Sequence, residues 1–328
     1  MLCANYKKKS YLFLIEMTNI LIDCDPGIDD CLAILMMLNH SSNLGSNILS
    51  AITTVGGNAT LEDTTKNACS LLNFYKEQST SDLEIDNILI GVGAPEPIEG
   101  KFNYAYEFHG ENGIGIDLSK YFLKQSLLPA NQIVSKIGND FEKIDVLALG
   151  PLTNIALALK THPQFRESVK SITIMGGSVN SPGNITPFAE FNIYNDPIAA
   201  EYIFRSEIPI TLIPLNITEK VYVSKSEIPW LKFDREIPTL ANDLISNWFD
   251  NYAPDDRKQF HFHDPVAIAA YLDPTLFVFE KVSVTVDCSS SKFRGQTTLL
   301  PNKGNTKLAV GVNSFKTKNL IYELLTRY

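Results

Sequence analysis

The strongest constraint on the fold is a repeated unit in which a short apolar strand is followed by a polar turn and then by a helix. Strands that are apolar on both faces are typical of a parallel sheet covered by helices on both sides. The predicted strands of this repeat are Ile20–Asp23, Ile48–Val55, Ile88–Val92, Asp145–Leu149, Ser171–Met175 and Ile210–Leu215. The pattern therefore predicts an α/β fold, an open and mostly parallel, Rossmann-like sheet with helices on both faces.

The last quarter of the chain departs from this repeat. Three predicted strands follow one another before a closing helix, and we interpret them as an antiparallel addition to the same sheet: Val282–Val286, Thr297–Leu300 and Leu308–Val312, then Ser314–Arg327. No repeat or linker marks a domain boundary, so residues 17–328 are predicted to form one domain. Residues 1–16 are predicted to be an N-terminal extension, either disordered or arising from an alternative start.

Composition excludes several classes of protein. The hydrophobic fraction of 45% and the charged fraction of 20% are ordinary for a globular chain and exclude disorder and a collagen-like fibre. The net charge of −9, from 28 basic and 37 acidic residues, argues against nucleic acid as a partner. The longest apolar run, Cys31–Leu38, is far shorter than the ~20 residues of a membrane span. Five cysteines without a C-x-x-C pair favour reduced thiols and a cytoplasmic location.

Four acidic residues crowd the end of the first predicted strand, Asp23, Asp25, Asp29 and Asp30. Helix capping explains Asp29 and Asp30 at most. Four carboxylates in eight residues repel one another unless a cation or a cationic transition state neutralises them. The cluster therefore predicts a hard divalent cation, Ca²⁺ or Mg²⁺, with further oxygen ligands from other strand ends.

The ligand predicted for this loop is a neutral polyol. The loop lacks the glycine motifs that bind phosphate, and its charge repels anions. A sugar chelated through two hydroxyls fits better. Carboxylates also stabilise the positive charge of an oxocarbenium-like state when a glycosidic bond breaks.

Two further motifs precede predicted helices. In His263-Asp264-Pro265, Asp264 is either a helix cap or a ligand, and His263 is suited to donate a proton to a leaving group. Asp196, in the same sequence pattern, is interpreted as a cap only.

Polar residues in two other loops are candidate ligand contacts, Asn184 with Glu190-Phe191-Asn192, and His109. Amide and carboxylate groups bind hydroxyls, yet asparagine is common in any loop. No function is predicted for the other three histidines, His40, His162 and His261.

Six motifs occur in an order that resembles one known family. They are D-x-D-P-G-x-D-D from Asp23, T-T-V-G-G-N from Thr53, L-T-N-I-A from Leu152, M-G-G from Met175, A-E-F-N from Ala189 and H-D-P from His263. Together they resemble the inosine–uridine-preferring nucleoside hydrolases from about residue 18 to the end. The resemblance implies hydrolysis of ribonucleosides to ribose and free base, one Ca²⁺ per subunit, and a homodimer or homotetramer.

The resemblance also implies roles for individual residues. The Ca²⁺ ligands would be Asp25, Asp30, Asp264 and the main-chain carbonyl of Leu149, and Asp25 would also act as general base. The ribose contacts would be Asp29, Asn58 and Asn192 at the 2′- and 3′-hydroxyls, Asn184 and Glu190 at the 5′-hydroxyl, and Met175 beneath the sugar, with Phe191 in the same substrate-binding segment. His263 would act toward the departing base, and His109 would line the base pocket.

A flap over the base is expected from Trp248 to Phe262, with Trp248 or Tyr252 stacking on the base or assisting proton transfer. Two other functions are open at this stage. A Mg²⁺-dependent haloacid-dehalogenase-type phosphohydrolase also places D-x-D after its first strand, but Gly27 stands where that family has Thr or Val. A non-catalytic ribose or nucleoside binder would use the same scaffold.

Overall fold

The computed structural model describes residues 19–123, 127–231, 235–254, 258–301 and 304–326. The predicted extension of residues 1–16 lies outside the described residues. Within the described part, no helix is both long and apolar enough to cross a membrane.

Ten of the described strands form one sheet, and two short strands pair separately. The strands in chain order are β1 Asn19–Cys24, β2 Leu49–Thr54, β3 Leu89–Val92, β4 Leu128–Pro129, β5 Ile144–Ala148, β6 Val169–Met175, β7 Ile210–Ile213, β8 Tyr222–Ser224, β9 Gln259–His261, β10 Phe277–Val286, β11 Thr297–Leu300 and β12 Thr306–Val312. Strands β8 and β9 form the small antiparallel pair.

Helices connect nearly all of these strands. They are α1 Ile28–Leu44, α2 Leu61–Gln78, α3 Tyr106–His109, α4 Ala130–Asp140, α5 Thr153–Thr161, α6 Pro163–Ser168, α7 Phe191–Asn195, α8 Pro197–Phe204, α9 Leu215–Thr218, α10 Glu236–Asn251, α11 His263–Leu272 and α12 Ser314–Thr326. Short 3₁₀ segments lie at Ile85–Asn87, Ser119–Tyr121, Lys225–Leu231 and Pro274–Leu276.

The strand order of the large sheet is β11-β10-β12-β7-β6-β5-β1-β2-β3-β4. The pairs from β4 to β12 are all parallel, and β10 runs antiparallel to both β11 and β12. The predicted open parallel sheet with an antiparallel C-terminal addition is thus confirmed. One detail differs, because β12 itself joins β7 in the parallel direction.

The order in which successive strands are added to the sheet reverses at β1. Strands β2 to β4 extend from one side of β1, and β5 starts again on the other side, so Asp23 pairs with Thr53 and with Ala148. Ligands of open α/β sheets bind at the carboxyl ends of strands at such a switch point. The acidic loop after β1 therefore starts at the edge where a ligand crevice is expected.

Two apolar clusters cover the two faces of the sheet. They hold the strands, and therefore the loops at their carboxyl ends, in position. One face packs against α1, α2, α10, α11 and α12. The other packs against α4, α5, α6 and α8. Residues 31–38 of α1 are all fully buried because the helix lies between the sheet and its helical neighbours, which explains why its sequence is apolar all round.

Of the two residues considered as helix caps, Asp196 and Asp264, only the first caps a helix. Asp196 caps α8, since its carboxylate accepts a hydrogen bond from the Ala199 N–H at 3.0 Å, and Pro197 begins the helix. Asp264 is not a cap, because α11 already begins at His263 and Asp264 lies in its first turn.

Candidate active site

The loop after β1 holds Asp25 in a narrow, buried position. One carboxylate oxygen, Oδ2, accepts a hydrogen bond from the Asn58 N–H at 2.7 Å. The other, Oδ1, has no partner among the described residues although it is buried. A buried carboxylate oxygen without a donor is costly unless another group satisfies it. Asp25 is therefore fixed by one oxygen and has the other available for a ligand.

Two glycines form the walls around this carboxylate. A Cβ atom added at Gly57 would lie 2.1 Å from Oδ2 of Asp25, and one at Gly150 would lie 2.5 Å from Oδ1. At either distance, the side chain of Asp25 would have to move away from the added Cβ atom. The glycines after β2 and β5 are thus required because the backbone approaches Asp25 closely.

Replacing Gly57 by alanine is expected to push the Asp25 carboxylate out of place. We expect a loss of at least about tenfold in kcat/KM, because catalytic groups tolerate little displacement. The measurement is steady-state hydrolysis, by the folded variant, of the ribonucleosides that the sequence resemblance implies as substrates. Gly311→Ala is the matched control, since its Cβ would make only ordinary contacts, the nearest at 3.4 Å. Unchanged activity in Gly57→Ala would contradict the close placement of Asp25.

Three further carboxylates form a second set, and one of the three comes from far along the chain. Asp29 and Asp30, in the first turn of α1, lie beside Asp264 in the first turn of α11, with one oxygen of each within 4.8 Å of the others. Both helix N-termini therefore face the same point, where their dipoles favour negative charge. Asp30 Oδ2 also accepts hydrogen bonds from the Gly27 N–H and from Asn58 Nδ2, both at 2.9 Å.

No basic side chain of the described residues balances the charge of this cluster. In the part of the chain that the structure describes, no lysine or arginine forms an ion pair with these carboxylates. Burial raises the pKa of Asp29 to about 8 and that of Asp30 to about 6. Burial, with the charge of neighbouring aspartates, also holds the pKa values of Asp25 and Asp264 well above their usual range.

Asp23 lies behind the cluster, where it supports the loop. Its Oδ1 accepts hydrogen bonds from Thr53 at 2.5 Å and from Asn154 at 2.8 Å. Burial raises its pKa to about 7, and these two hydrogen bonds lower it. It is completely buried and does not reach the pocket.

The residues present fit a hard divalent cation. All the donors are carboxylate oxygens, and Oδ1 of Asp30, like Oδ1 of Asp25, is buried without a partner among the described residues. Ca²⁺ binds oxygens at about 2.3–2.6 Å, so a shared ion requires ligand atoms no further apart than about 5 Å. The spacing of Asp29, Asp30 and Asp264 meets that limit. Two members of the expected set, Asp30 and Asp264, therefore lie close enough to share an ion, and Asp29, expected to bind the ribose, lies with them.

A pocket of about 450 Å³ opens above these carboxylates. Eleven of the predicted site residues lie on its wall, namely Asp29, Asn58, His109, Leu149, Met175, Asn184, Glu190, Phe191, Asn192, His263 and Asp264. Asp25 and Asp30 are almost completely buried and lie beneath this wall rather than on it.

The amide side chains beside the carboxylates are oriented by the backbone. Asn58 Nδ2 donates to the Asp25 carbonyl at 3.0 Å, and Asn192 Nδ2 donates to the Leu149 carbonyl at 2.6 Å and the Met175 carbonyl at 3.2 Å. With both NH₂ groups engaged, the amide oxygens are the groups left to accept hydrogen bonds from hydroxyls. The Leu149 carbonyl keeps a second lone pair for another partner.

Glu190 has a structural role in addition to its place on the pocket wall. Its carboxylate accepts hydrogen bonds from the backbone N–H groups of Asn192, Ile193 and Gly177, so it caps α7 and ties that helix to the end of β6. Asn184 Oδ1 accepts from the Phe191 N–H at 2.9 Å, while the side chain is exposed at the pocket.

Two histidines approach the cluster from different elements. His109 Nδ1 accepts a hydrogen bond from the Ile28 N–H at 3.1 Å, and burial lowers its pKa to about 3, so the ring is neutral and carries its hydrogen on Nε2. His263 is held by Thr218, whose hydroxyl lies 2.8 Å from Nδ1.

Residues 255–257 of the expected flap lie outside the described residues, and its two candidate aromatic residues, Trp248 and Tyr252, do not line the pocket. Trp248 is completely buried within α10 and packs against Phe108 and Phe260, with ring centroids 5.2 Å apart in both cases. This corrects its expected role in stacking on a base, because α10 continues to Asn251 and directs the indole into the core. Tyr252 lies over Gly110 and is not among the residues that line the pocket, so its contact with substrate stays a prediction.

The structure adds pocket residues that sequence reasoning missed. They are Tyr104, Ala105, Tyr106, Glu107, Phe108, Ile185, Leu215, Glu219 and His261. His261, for which no function was predicted, is one of them. The alternation of Phe260, His261, Phe262 and His263 was a signal for it, because it places both histidines on one side of the chain.

The fold and site together define an α/β protein with a pocket above a buried cluster of carboxylates, which lies at the carboxyl ends of parallel strands. Over residues 20–319, the chain matches the model of the family described as inosine-uridine preferring nucleoside hydrolase. It is 33% identical over 320 residues to the pyrimidine-specific ribonucleoside hydrolase RihA of Photobacterium profundum, covering 94% of this chain and 99% of that protein.

Solved structures show the same relationship. A plant nucleoside hydrolase, PpNRh1, matches with a TM-score of 0.81 at 28% identity, over 95% of this chain and 99% of that chain. The purine-preferring ribonucleoside hydrolase of Gardnerella vaginalis matches with a TM-score of 0.80 at 25% identity, over 94% and 98% of the two chains. The chain therefore belongs to the inosine–uridine-preferring nucleoside hydrolase family and is a nucleoside hydrolase.

Proposed function

We propose that this protein catalyses the Ca²⁺-dependent hydrolysis of the N-glycosidic bond of ribonucleosides, giving ribose and a free nucleobase for nucleoside salvage. The observation that carries the proposal is that two chemically different regions line the same pocket. A carboxylate cluster that includes Asp29 and Asp264 forms its floor, and imidazole and aromatic side chains form part of its wall. The carboxylates of the floor can bind the two hydroxyls of a diol, and the rings in the wall can pack against a planar base.

Asp25 is proposed as the general base. Asn58 holds one oxygen of the carboxylate, and Oδ1 is the atom available to take a proton from the attacking water. The proposed cation ligands are Asp25, Asp30, Asp264 and the Leu149 carbonyl. Asp29 is close enough to Asp30 and Asp264 to contribute as well, and the support for Asp25 is its buried, unpartnered Oδ1. A bound divalent cation would neutralise the carboxylates and lower the pKa of water in the site.

The other residues bind and orient the sugar. Asp29 and the amide oxygens of Asn58 and Asn192 are proposed to accept hydrogen bonds from the 2′- and 3′-hydroxyls. Asn184 and Glu190 are proposed to face the 5′-hydroxyl, and Met175 and Phe191 to pack against the ribose. The surrounding negative charge stabilises an oxocarbenium-like transition state as the base departs.

His263 is proposed to act on the departing base. Its ring lies beside Asp264, and Thr218 holds its Nδ1, so that Nε2 is the atom proposed to donate a proton to the base or to orient it. His109 is proposed to line the same end of the pocket.

The base preference is proposed from the relatives. RihA of Photobacterium profundum, named as pyrimidine-specific, is 33% identical to this chain, whereas the purine-preferring enzyme of Gardnerella vaginalis is 25% identical. Uridine and cytidine are therefore the first substrates to test, ahead of inosine and guanosine. A homodimer or homotetramer in the cytoplasm is also proposed, and light scattering of the purified protein tests the assembly.

The deciding experiment is release of reducing sugar from uridine, cytidine, inosine and guanosine. We expect turnover of at least one of them by Ca²⁺-loaded protein, loss of turnover with chelator, and recovery when Ca²⁺ is restored. Mg²⁺ in place of Ca²⁺ tests the identity of the ion. Tight binding of nucleosides without any sugar release would instead establish a non-catalytic binder. Phosphate release from nucleotides or sugar phosphates, with no reaction of ribonucleosides, would favour the phosphohydrolase alternative.

A further inference from the structure

The antiparallel addition at the edge of the sheet reaches back to the pocket. Strands β10 and β11 are joined by residues 287–296, which we call the β10–β11 loop. This loop contacts residues 183–190, the segment that brings Asn184 and Glu190 to the pocket wall. A part of the chain that lies outside the repeated strand–helix units therefore borders the site.

The β10–β11 loop is itself well fixed. The Gly295 N–H donates to the Asp287 carbonyl at 2.8 Å, and the Asp287 N–H donates to the Gln296 carbonyl at 3.0 Å. Just before the loop, the Val286 N–H donates to the carboxylate of Glu201 in α8 at 2.8 Å. The loop is thus closed by its own hydrogen bonds and anchored on a helix, so it can support another segment.

Its backbone contacts the chain on both sides of Glu190. Ala189 forms an antiparallel bridge with Gln296. A Cβ atom added at Gly295 would lie 2.7 Å from the Cα atom of Tyr194 in α7. Gly295 also has a φ of +75°, in the left-handed region that favours glycine. The close approach and the turn therefore both require a glycine here.

A pair of aromatic rings adds a side-chain contact. The rings of Phe188 and Phe293 meet edge to face, with centroids 4.8 Å apart and an interplanar angle of 64°. The ammonium group of Lys292 lies over the Phe293 ring, 4.9 Å from its centroid. Edge-to-face pairs are favourable beyond the area that they bury. Because Phe188 stands two residues before Glu190, this contact fixes the segment close to the pocket.

The 183–190 segment is held only loosely by its own backbone. The N–H groups of Ile185 and Thr186 donate to the Ala189 carbonyl at 3.3 and 3.5 Å, which is long for such bonds. The side chain of Asn184 is exposed, and its Oδ1 accepts from the Phe191 N–H at 2.9 Å. Support from the β10–β11 loop therefore contributes to the position of Asn184 on the pocket wall.

We propose that the β10–β11 loop positions the part of the pocket that binds the 5′-hydroxyl of the ribose, and that Phe293 is the positioning residue of this support. The inference rests on the proposed function, which assigns Asn184 and Glu190 to that hydroxyl. Phe293 does not line the pocket, so it acts through Phe188 and the residues that follow it. Without the ring contact the segment can shift, and hydrogen bonds weaken steeply when their geometry is displaced.

The test compares a ribonucleoside with its 5′-deoxy analogue: uridine with 5′-deoxyuridine, or inosine with 5′-deoxyinosine if only purine nucleosides react. Dividing the two kcat/KM values within each variant cancels effects common to both substrates. We expect Phe293→Ala to lower the preference for the 5′-hydroxyl about 3- to 10-fold, since one hydrogen bond contributes on that scale. Phe315→Ala makes the same change at an exposed position of α12 and should leave the preference unchanged.

The ratio separates positioning of this hydroxyl from a general structural role. An equal loss of kcat/KM for both substrates in Phe293→Ala, or an unchanged preference, would overturn the proposal. If that variant does not fold, Phe188→Ala, which removes the other ring of the pair, decides by the same ratio. A wild-type protein that hydrolyses both substrates equally well would overturn this inference alone. A wild-type protein that hydrolyses no ribonucleoside would overturn the proposed function and this inference with it.

Discussion

Replacing Asp25 by asparagine is expected to lower kcat for ribonucleoside hydrolysis by about 100- to 1,000-fold, the scale of losing one key polar group in an active site. The amide oxygen of the variant can still accept the hydrogen bond from the Asn58 N–H. The amide NH₂ group then replaces Oδ1, which is the buried atom without a partner among the described residues. A donor at that position cannot take a proton from water.

The measurement is steady-state kinetics on uridine with saturating Ca²⁺, together with Ca²⁺ affinity by calorimetry. Asp82→Asn makes the same chemical change at an exposed position and should behave as the wild type does. Near-normal kcat in a folded Asp25→Asn variant would remove Asp25 from the role of general base. A loss that disappears at higher Ca²⁺ concentration would assign the residue to cation binding alone.

Chelator-treated protein is expected to become less stable as the pH rises from 5 to 8. Burial raises the pKa values of Asp30, Asp23 and Asp29 to about 6, 7 and 8 in the folded protein. In the unfolded chain an aspartate titrates near pH 3.9, so the folded protein binds more protons between these values. Stability therefore decreases with rising pH through this window.

Calcium is expected to reverse this trend. A cation that binds only the folded state adds about 2.7 kcal/mol at 100 times its dissociation constant. Its effect should be larger at pH 8 than at pH 5, because protons compete for the same carboxylates at the lower pH. We expect a rise in Tm of about 5 °C or more at pH 8, measured by differential scanning calorimetry.

Asp264→Asn is the informative variant for this second prediction. Replacing one buried carboxyl group of the cluster by a neutral amide removes its repulsion with Asp29 and Asp30, so it should raise the Tm of the chelated protein at pH 8. Removing one ligand should reduce the stabilisation by Ca²⁺. The exposed Asp82→Asn should change neither value. A chelated wild-type protein whose Tm increases from pH 5 to pH 8 would contradict the raised pKa values of the cluster.

Local sequence predicts much of the fold because the information lies within single elements. The apolar strands that end in Gly, Asn or Asp predict β1, β2, β3, β5, β6 and β7 to within a few residues. The acidic loop with Asp25 and Asp30 also follows from a single segment. Strand β4 was missed, since a two-residue strand has no periodicity to detect. Helix α4, which follows it directly, was missed as well.

The errors at the site also have physical causes. Trp248 was expected over the base, because an aromatic residue near a helix end has the same sequence signature whether it faces a pocket or the core. His261 was given no role, because the three-residue strand β9 is too short for its alternation to stand out. Only the packing of Phe260 and Phe262 into the core decides which side the histidines take.

The sequence by itself determines the parallel α/β sheet, the family and the acidic loop, because strand patterning and short motifs are local. Tertiary structure alone brings Asp264 to Asp29 and Asp30, places Gly57 and Gly150 around Asp25, and sets His261 against His263. These contacts join segments far apart in the chain, and their geometry depends on how helices pack on both faces of the sheet. That packing is a collective property of the core, and no single segment encodes it.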